Sequence, residues 1–217
     1  YHLHLNPGDL ARNIILVGDQ ERVPKVSKYF DRIELIKNKR EFITHTGFIG
    51  KERISVISTG IGTDNIDIVL NEIDALFNVD FIEKRPKAKK TKLNFIRIGT
   101  TGSIHSQIPI DSFLVSEYAL GLDGLLPFYL DYQKVIATDL QDKISQNFPQ
   151  LHKMCIPYAV KGSAHLINTL AGRLMRGITT SATGFYAHHN RNISLASAMD
   201  DYFKQAESFE FEGLKLS

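Results

Sequence analysis

The stretch Ile14-Ile15-Leu16-Val17-Gly18-Asp19-Gln20-Glu21-Arg22 decides the fold class. Four consecutive apolar residues that stop at glycine read as a strand buried on both faces, and Val23–Phe30 then reads as a short helix. The pattern returns at Phe95-Ile96-Arg97-Ile98-Gly99-Thr100-Thr101-Gly102. Glycine at a strand end lets backbone approach a ligand closely, and free N–H groups beside guanidinium and hydroxyl donors suit a phosphate. Two such ends point to one anion site holding Arg22, Arg97 and Thr100. Because Arg97 falls inside an apolar run, an anionic partner is expected for it, either a ligand or a protein carboxylate.

Working outward, strand-like runs occur at Asn13–Val17, Ile33–Ile36, Ile54–Ile57, Asn94–Ile98, Ser112–Ser116 and Gly177–Ser181. Ile66, Val69, Leu70, Ile73 and Phe77 repeat at helical spacing behind Asp64 or Asn65 as the cap. Arg40–Phe48 and Lys51–Ser58 read as a hairpin around a Gly47/Gly50 turn. Asp139–Phe148, Ser163–Arg173 and Ser194–Gln205 read as surface helices. The fold class is therefore α/β, a single-domain mixed twisted sheet flanked by helices over residues 1–217, with its ligand at the carboxyl ends of strands.

Composition excludes several classes. At 217 residues and 43% apolar, the chain can bury one substantial core. No apolar run reaches the roughly 18 residues of a membrane span, so no membrane partner is expected. Cys155 is the single cysteine, without zinc-ligand spacing around it, so a packed thiol in a reducing cytoplasm is expected. Net charge is only +2, so the basic run Lys84–Lys92, with no interleaved aromatics, reads as a solvated loop rather than a nucleic-acid surface. Neither glycine segment has the G-x-G-x-x-G spacing and no Walker lysine follows, which argues against NAD and ATP. His188-His189 are adjacent, too close for both rings to serve one metal from a regular element.

Four ordered motifs carry a resemblance: Gly18-Asp19-x-x-Arg22, Ser58-Thr59-Gly60-Ile61-Gly62, Arg97-Ile98-Gly99-Thr100-Thr101-Gly102 and Gly184-Phe185-Tyr186-x-x-x-x-Arg191. In this order and spacing the chain resembles the nucleoside phosphorylases of the purine and uridine type, nearest to uridine phosphorylase, from Tyr1 to about Ser217. The resemblance implies reversible phosphorolysis of a nucleoside to free base and ribose 1-phosphate, with uridine first and inorganic phosphate as co-substrate, and no other cofactor. It implies that Gly18, Arg22, Arg97 and Thr100 hold the phosphate, and that Arg40 reaches it from a neighbouring subunit. His2 would cross the same interface to the ribose 5′-hydroxyl, and Thr100 would also face the ribose. Thr101, Gly102, Phe185, His189 and Arg191 would hold the base, with Arg97 and Arg191 as the catalytic pair. Arg191 would stabilise the negative charge of the leaving base. The shared site would need at least a dimer, and the resemblance implies a homo-oligomer built from dimers, a hexamer.

Two departures from the family pattern bear on substrate. His189 stands where a glutamine is usual, which puts pyrimidine preference in question and keeps a purine phosphorylase open. The family continues into a Glu-Met-Glu segment that holds the ribose hydroxyls, and this chain stops before it, as a shortened version of a longer protein would. Glu41, Ile61 and Asn65 match positions that hold a monovalent cation such as potassium, with Asn65 replacing a serine. Three arginines around an anion argue against a nucleosidase that uses water. A non-catalytic nucleoside-binding protein on the same scaffold remains the rival of a different class.

Overall fold

The computed structural model describes all 217 residues. The chain separates into two compact units, Tyr1–Thr100 and Thr101–Ser217. In the first, nine elements follow in order: β1 (Asn13–Val17), α1 (Arg22–Ser27), β2 (Arg32–Lys39), β3 (Phe42–Ile49), β4 (Glu52–Ser58), α2 (Thr63–Asn78), β5 (Val79–Asp80), β6 (Arg85–Pro86) and β7 (Asn94–Ile98). Five of these strands form one sheet in the order β2-β3-β4-β1-β7. β1 runs parallel to both β4 and β7, whereas β3 is antiparallel to β2 and β4, so the sheet is mixed as the hairpin pattern implies.

Register sets the position of the glycine turns. Val17 lies opposite Ser58 on one side and Ile98 on the other, so the three parallel strands end level. Gly18, Thr59-Gly60 and Gly99 therefore emerge in one row at the carboxyl edge of the sheet, which is where open α/β sheets place ligands. Behind that edge Leu16, Phe42, Ile57, Val69 and Ile73 form the core, with α2 laid on the sheet through Val69 and Ile73. Leu70, assigned to the buried stripe by its spacing, is exposed instead.

Two details correct the sequence expectations in this unit. Gly62 is the cap of α2 and makes no side-chain cap bond, while Asp64 and Asn65 lie inside the first turn. Gly47 sits within β3 opposite Ile33, not in a turn, and the reversal to β4 is made at Gly50-Lys51. The basic run is exposed as expected, with Arg85–Pro86 paired to β5 as β6 and the rest a loop that returns to the end of α2: Lys87 Nζ donates to the Phe77 carbonyl at 2.8 Å and Lys90 Nζ to that of Asn78 at 3.4 Å. Cations at a helix carboxyl end complement its orphan carbonyls and its dipole.

A buried histidine gives this unit a pH-dependent stability. His45, on β3, is 9% exposed, with Nδ1 2.7 Å from Ser27 Oγ on α1. Burial lowers its pKa below the ordinary histidine value. The unfolded chain then binds a proton that the folded chain refuses, so stability should fall as pH drops below about 6.5, by at most about 1.4 kcal/mol per pH unit for one proton. Urea midpoints measured between pH 7.5 and 5 should decline less in His45→Gln than in the parent, and parallel declines would show that other groups govern the slope.

The second unit contains β8 (Leu114–Gly121), α3 (Thr138–Asn147), β9 (Tyr158–Lys161), α4 (Ala164–Leu170), β10 (Met175–Ser181), α5 (Asp200–Ala206), β11 (Glu210–Phe211) and β12 (Leu214–Lys215). Its sheet has the order β10-β8-β9, with β10 parallel and β9 antiparallel to β8. Leu120, Phe148, Tyr202 and Phe209 are among its core residues, and Phe148 contacts both Tyr202 and Phe209 ring to ring. Ser163 caps α4 by accepting from the Leu166 amide. The helix expected over Ser194–Gln205 is confined to α5, and the strand expected at Ser112–Ser116 begins at Leu114 and runs on to Gly121. Beyond β12, the Leu216-Ser217 backbone pairs alongside Ile178 on β10, and His105 Nε2 lies 2.8 Å from the Leu216 carbonyl. No helix is long and apolar enough to cross a membrane.

Candidate functional site

In the first unit, the predicted phosphate residues converge on the level strand ends. A Cβ placed on Gly18 would stand 3.8 Å from the Gly60 carbonyl and 4.0 Å from an Arg97 terminal nitrogen, and one on Gly99 would stand 3.0 Å from the other. Arg97 therefore folds back over its own turn toward Gly18. The Asp19 carboxylate shapes the neighbouring turn by accepting from the Glu21 amide at 3.0 Å, and the Asp19 carbonyl accepts from the Arg22 amide, which starts α1 and sets Arg22 beside the edge.

Arg97 is not enclosed as its place in an apolar run suggests. It lies on β7, the outermost strand of the sheet, and the residue is exposed. Neither Arg22 nor Arg97 has a carboxylate partner, so the protein salt bridge left open by the sequence is not formed. Although the residue as a whole is exposed, its guanidinium is folded against the glycine turns, and that local desolvation, and then the Arg22 charge, push it below its ordinary range. Two cations that repel each other beside three glycine turns form a place where a dianion is stabilised by both. Thr100 is exposed immediately beyond β7.

Arg40 occupies the tip between β2 and β3 with φ +56°, a left-handed turn, and its side chain is exposed without an ion pair. Gln20 Nε2 donates to the Arg40 carbonyl at 3.4 Å, which links this tip to the turn after β1 in the same chain. Glu41, Ile61 and Asn65 do come together around Gly60, where a Cβ would meet Asn65 Nδ2 at 2.6 Å and Glu41 Cγ at 2.9 Å. Asn65 Nδ2 donates to the Ile61 carbonyl at 3.0 Å, so an amide already engages one of the oxygens a cation would use.

In the second unit the predicted base residues fall into two groups. Thr101, Gly102 and His189 line a cavity together with Thr180, His188 and Tyr202. Phe185 and Arg191 lie outside its lining: the Arg191 guanidinium stacks on the Phe185 ring at 4.4 Å. A tilted contact between the Phe185 and His189 rings, 5.4 Å between centroids, connects the groups. The turn Tyr186–Arg191 is held by the Tyr186 carbonyl, which accepts from both the His189 and Arg191 amides. His188 points to Thr183 Oγ1 at 3.3 Å and His189 to Phe185, so the adjacent imidazoles do diverge.

Desolvation, followed by the charges of Arg191 and His188, lowers the His189 pKa and favours the neutral ring. A neutral imidazole offers one donor and one acceptor to a base edge. Tyr202 escaped the sequence reading. It is 2% exposed, its hydroxyl lies 3.5 Å from Thr180 Oγ1, and burial pushes it up to about 12, so it stays a donor. Its place on an amphipathic helix made it look like any core aromatic, and only the register of β10 brings Thr180 to it.

These strand ends and motifs coincide with a known family, since the description of the phosphorylase superfamily matches residues 12–207. The chain belongs to the phosphorylase superfamily. It is 32% identical to the uridine phosphorylase of Thermococcus kodakarensis over 98% of this chain and 68% of that protein. Uridine phosphorylase of Treponema pallidum is 24% identical, over 88% of this chain and 62% of the relative. Among solved structures, a Trypanosoma brucei nucleoside phosphorylase described as showing uridine phosphorylase activity superposes with a TM-score of 0.79 at 26% identity, over 96% of this chain and 75% of that one. The chain thus spans about two thirds of the length of these curated relatives, and the α/β class expected from the glycine turns is that of the family.

Proposed function

We propose that this protein catalyses reversible phosphorolysis of a nucleoside, uridine first, to free base and ribose 1-phosphate. The observation that carries this reading is the unpaired, mutually repelling pair Arg22 and Arg97 at a row of glycine turns. Phosphate bound there by Gly18, Arg22, Arg97 and Thr100, with Arg40 supplied by a neighbouring subunit, would be both the nucleophile at C1′ and the counter-charge to the oxocarbenium ion. His2 and Thr100 would hold the ribose. Thr101, Gly102, Phe185, His189 and Arg191 would hold the base, with Arg191 leaving its stack on Phe185 to meet the departing charge. The same reading makes the protein a cytoplasmic homo-oligomer built from dimers, a hexamer, serving pyrimidine salvage.

Release of free base from uridine, thymidine, inosine and adenosine, with and without inorganic phosphate, tests it. Turnover of uridine that depends on phosphate is the expected result, and turnover without phosphate would instead identify a nucleosidase. His189 favours a second reading, a purine phosphorylase, and inosine or adenosine turned over faster than uridine would establish it. Binding of a nucleoside with no release in either buffer would mean a binding protein. For the cation at Glu41, Ile61 and Asn65, removal of potassium should lower thermal stability if the site is used, and an unchanged melting temperature would dismiss it.

A further inference from the structure

The segment Tyr1–Leu3 is held by a carboxylate on α2. Glu72, on α2, accepts from the His2 amide at 2.9 Å through each of its oxygens, from the Leu3 amide at 3.0 Å and from the Tyr1 nitrogen at 3.1 Å. The shortest contact is the one to His2 Nδ1, at 2.6 Å. Partial burial raises the Glu72 pKa, but the His2 and Leu3 amides and the His2 ring outweigh it and hold the carboxyl down to about 2. An ionised carboxylate only accepts, so the hydrogen between the two groups belongs to Nδ1. In the neutral ring, Nε2 is then the bare nitrogen.

Neighbouring contacts keep the segment in place. Leu3 is buried in the core beside Val69 and Ile73, the residues that seat α2, so the helix carrying Glu72 and the segment carrying His2 share one packing unit. On the other side, Lys39 Nζ donates to the Tyr1 carbonyl at 2.7 Å and lies 4.5 Å from the centre of the Tyr1 ring. Lys39 is the residue before Arg40, so the tip of the β2-β3 hairpin and the His2 segment are tied together. The His2 side chain keeps 31% of its surface exposed, the Tyr1 ring stands edge-on to its ring at 5.0 Å between centroids, and its ring hydrogen bond is made by Nδ1 and not by Nε2.

We propose that Glu72 is a positioning residue for phosphorolysis: it fixes His2 as the Nδ1–H tautomer and turns Nε2 outward as the acceptor for the ribose 5′-hydroxyl of a nucleoside. This rests on the phosphorolysis reading above, in which His2 meets that hydroxyl across a subunit interface. Glu72 touches no substrate and acts through the histidine ring. The hydroxyl is the reporter, because a nucleoside lacking it cannot sense the orientation of His2.

Phosphorolysis of uridine and of 5′-deoxyuridine, compared in the parent, Glu72→Gln, Glu72→Asp, His2→Ala and the Glu72→Gln/His2→Ala double variant, tests the proposal. Glutamine offers one acceptor oxygen where the carboxylate offers two, and it loses the charge. Glu72→Gln should lower kcat/KM for uridine about tenfold while changing that for 5′-deoxyuridine less than twofold, the size expected for one weakened charge-assisted hydrogen bond. Glu72→Asp should recover part of the uridine rate, and the double variant should be no slower than His2→Ala. Equal losses on both substrates would make Glu72 a structural tether and overturn the proposal, as would no loss on either. ¹⁵N shifts of the His2 ring give a readout independent of turnover, with protonated Nδ1 and bare Nε2 expected in the parent. The opposite tautomer would overturn the proposal by itself, whereas a parent that turns over neither nucleoside but shows the expected tautomer would remove the phosphorolysis reading and leave the Glu72–His2 link standing.

Discussion

Arg97→Ala should abolish nearly all phosphate-dependent turnover while leaving the fold as stable as before. The two halves of that result have one cause. With no carboxylate beside it and Arg22 pushing against it, Arg97 contributes no ion pair within the protein. Removing it therefore takes away a repulsion, and the melting temperature in phosphate-free buffer should hold or rise slightly. In the proposed phosphorolysis the side chain would provide fixed donors to a charged nucleophile, and loss of one such group costs on the order of 10²–10³ in rate. A second signature is thermal: inorganic phosphate should raise the melting temperature of the parent by mass action and lose that effect in the variant. Lys89→Ala, on the exposed basic loop, should change neither quantity. If Arg97→Ala and Lys89→Ala behaved alike, the phosphate site would lie elsewhere.

Gly47→Ala should cost the first unit about 3 kcal/mol of stability, at the upper end of what overpacking costs. A Cβ there would stand 2.3 Å from the Arg32 carbonyl, 2.7 Å from Phe30 Cδ2 and 3.2 Å from the Ile33 Cα. Two of those atoms are backbone in the β2-β3 ladder, close to its register shift between Ile33 and Leu35, so they cannot swing aside as a flexible side chain would. Either β2 moves or the pairing breaks. Gly50→Ala, at φ +58° with nothing within 4 Å of its Cβ, carries only the smaller penalty of a left-handed residue, about 1 kcal/mol. Urea midpoints rank the two, and a Gly47→Ala loss no greater than that of Gly50→Ala would mean that the ladder absorbs the methyl group.

Gly47 also shows where sequence reading stops. Beside Gly50, it looked like half of a turn, because local glycine spacing carries no information about which backbone crosses above. By contrast, β1 and β7 were legible to the residue, since both are short apolar runs closed by glycine and their ends have no competing pattern. Their level alignment was not legible, since register is set by the pairing of β1 with β7 itself, between positions 81 residues apart such as Asn13 and Asn94. The same distinction runs through the site. Arg22 and Arg97 stand out as charges in or beside apolar runs, whereas Tyr202 and Glu72 sit on helices among residues of their own kind. Their roles come from partners 22 and 70 positions away, Thr180 and His2.

The hold of Lys87 and Lys90 on the end of α2 bears on how this protein should be handled. Amine-reactive dyes and surface-immobilisation chemistries seek out lysine clusters, and this loop is the densest one in the chain. Coupling at Lys87 would unplug the Phe77 carbonyl and loosen the last turn of the helix that carries Glu72, although the Asn78 carbonyl keeps the Lys87 amide at 2.8 Å. A probe meant to leave the molecule undisturbed belongs on Cys155 no more than on this loop, since that thiol packs against the second core. The hairpin turn at Lys51, exposed and remote in sequence from both, is the better handle.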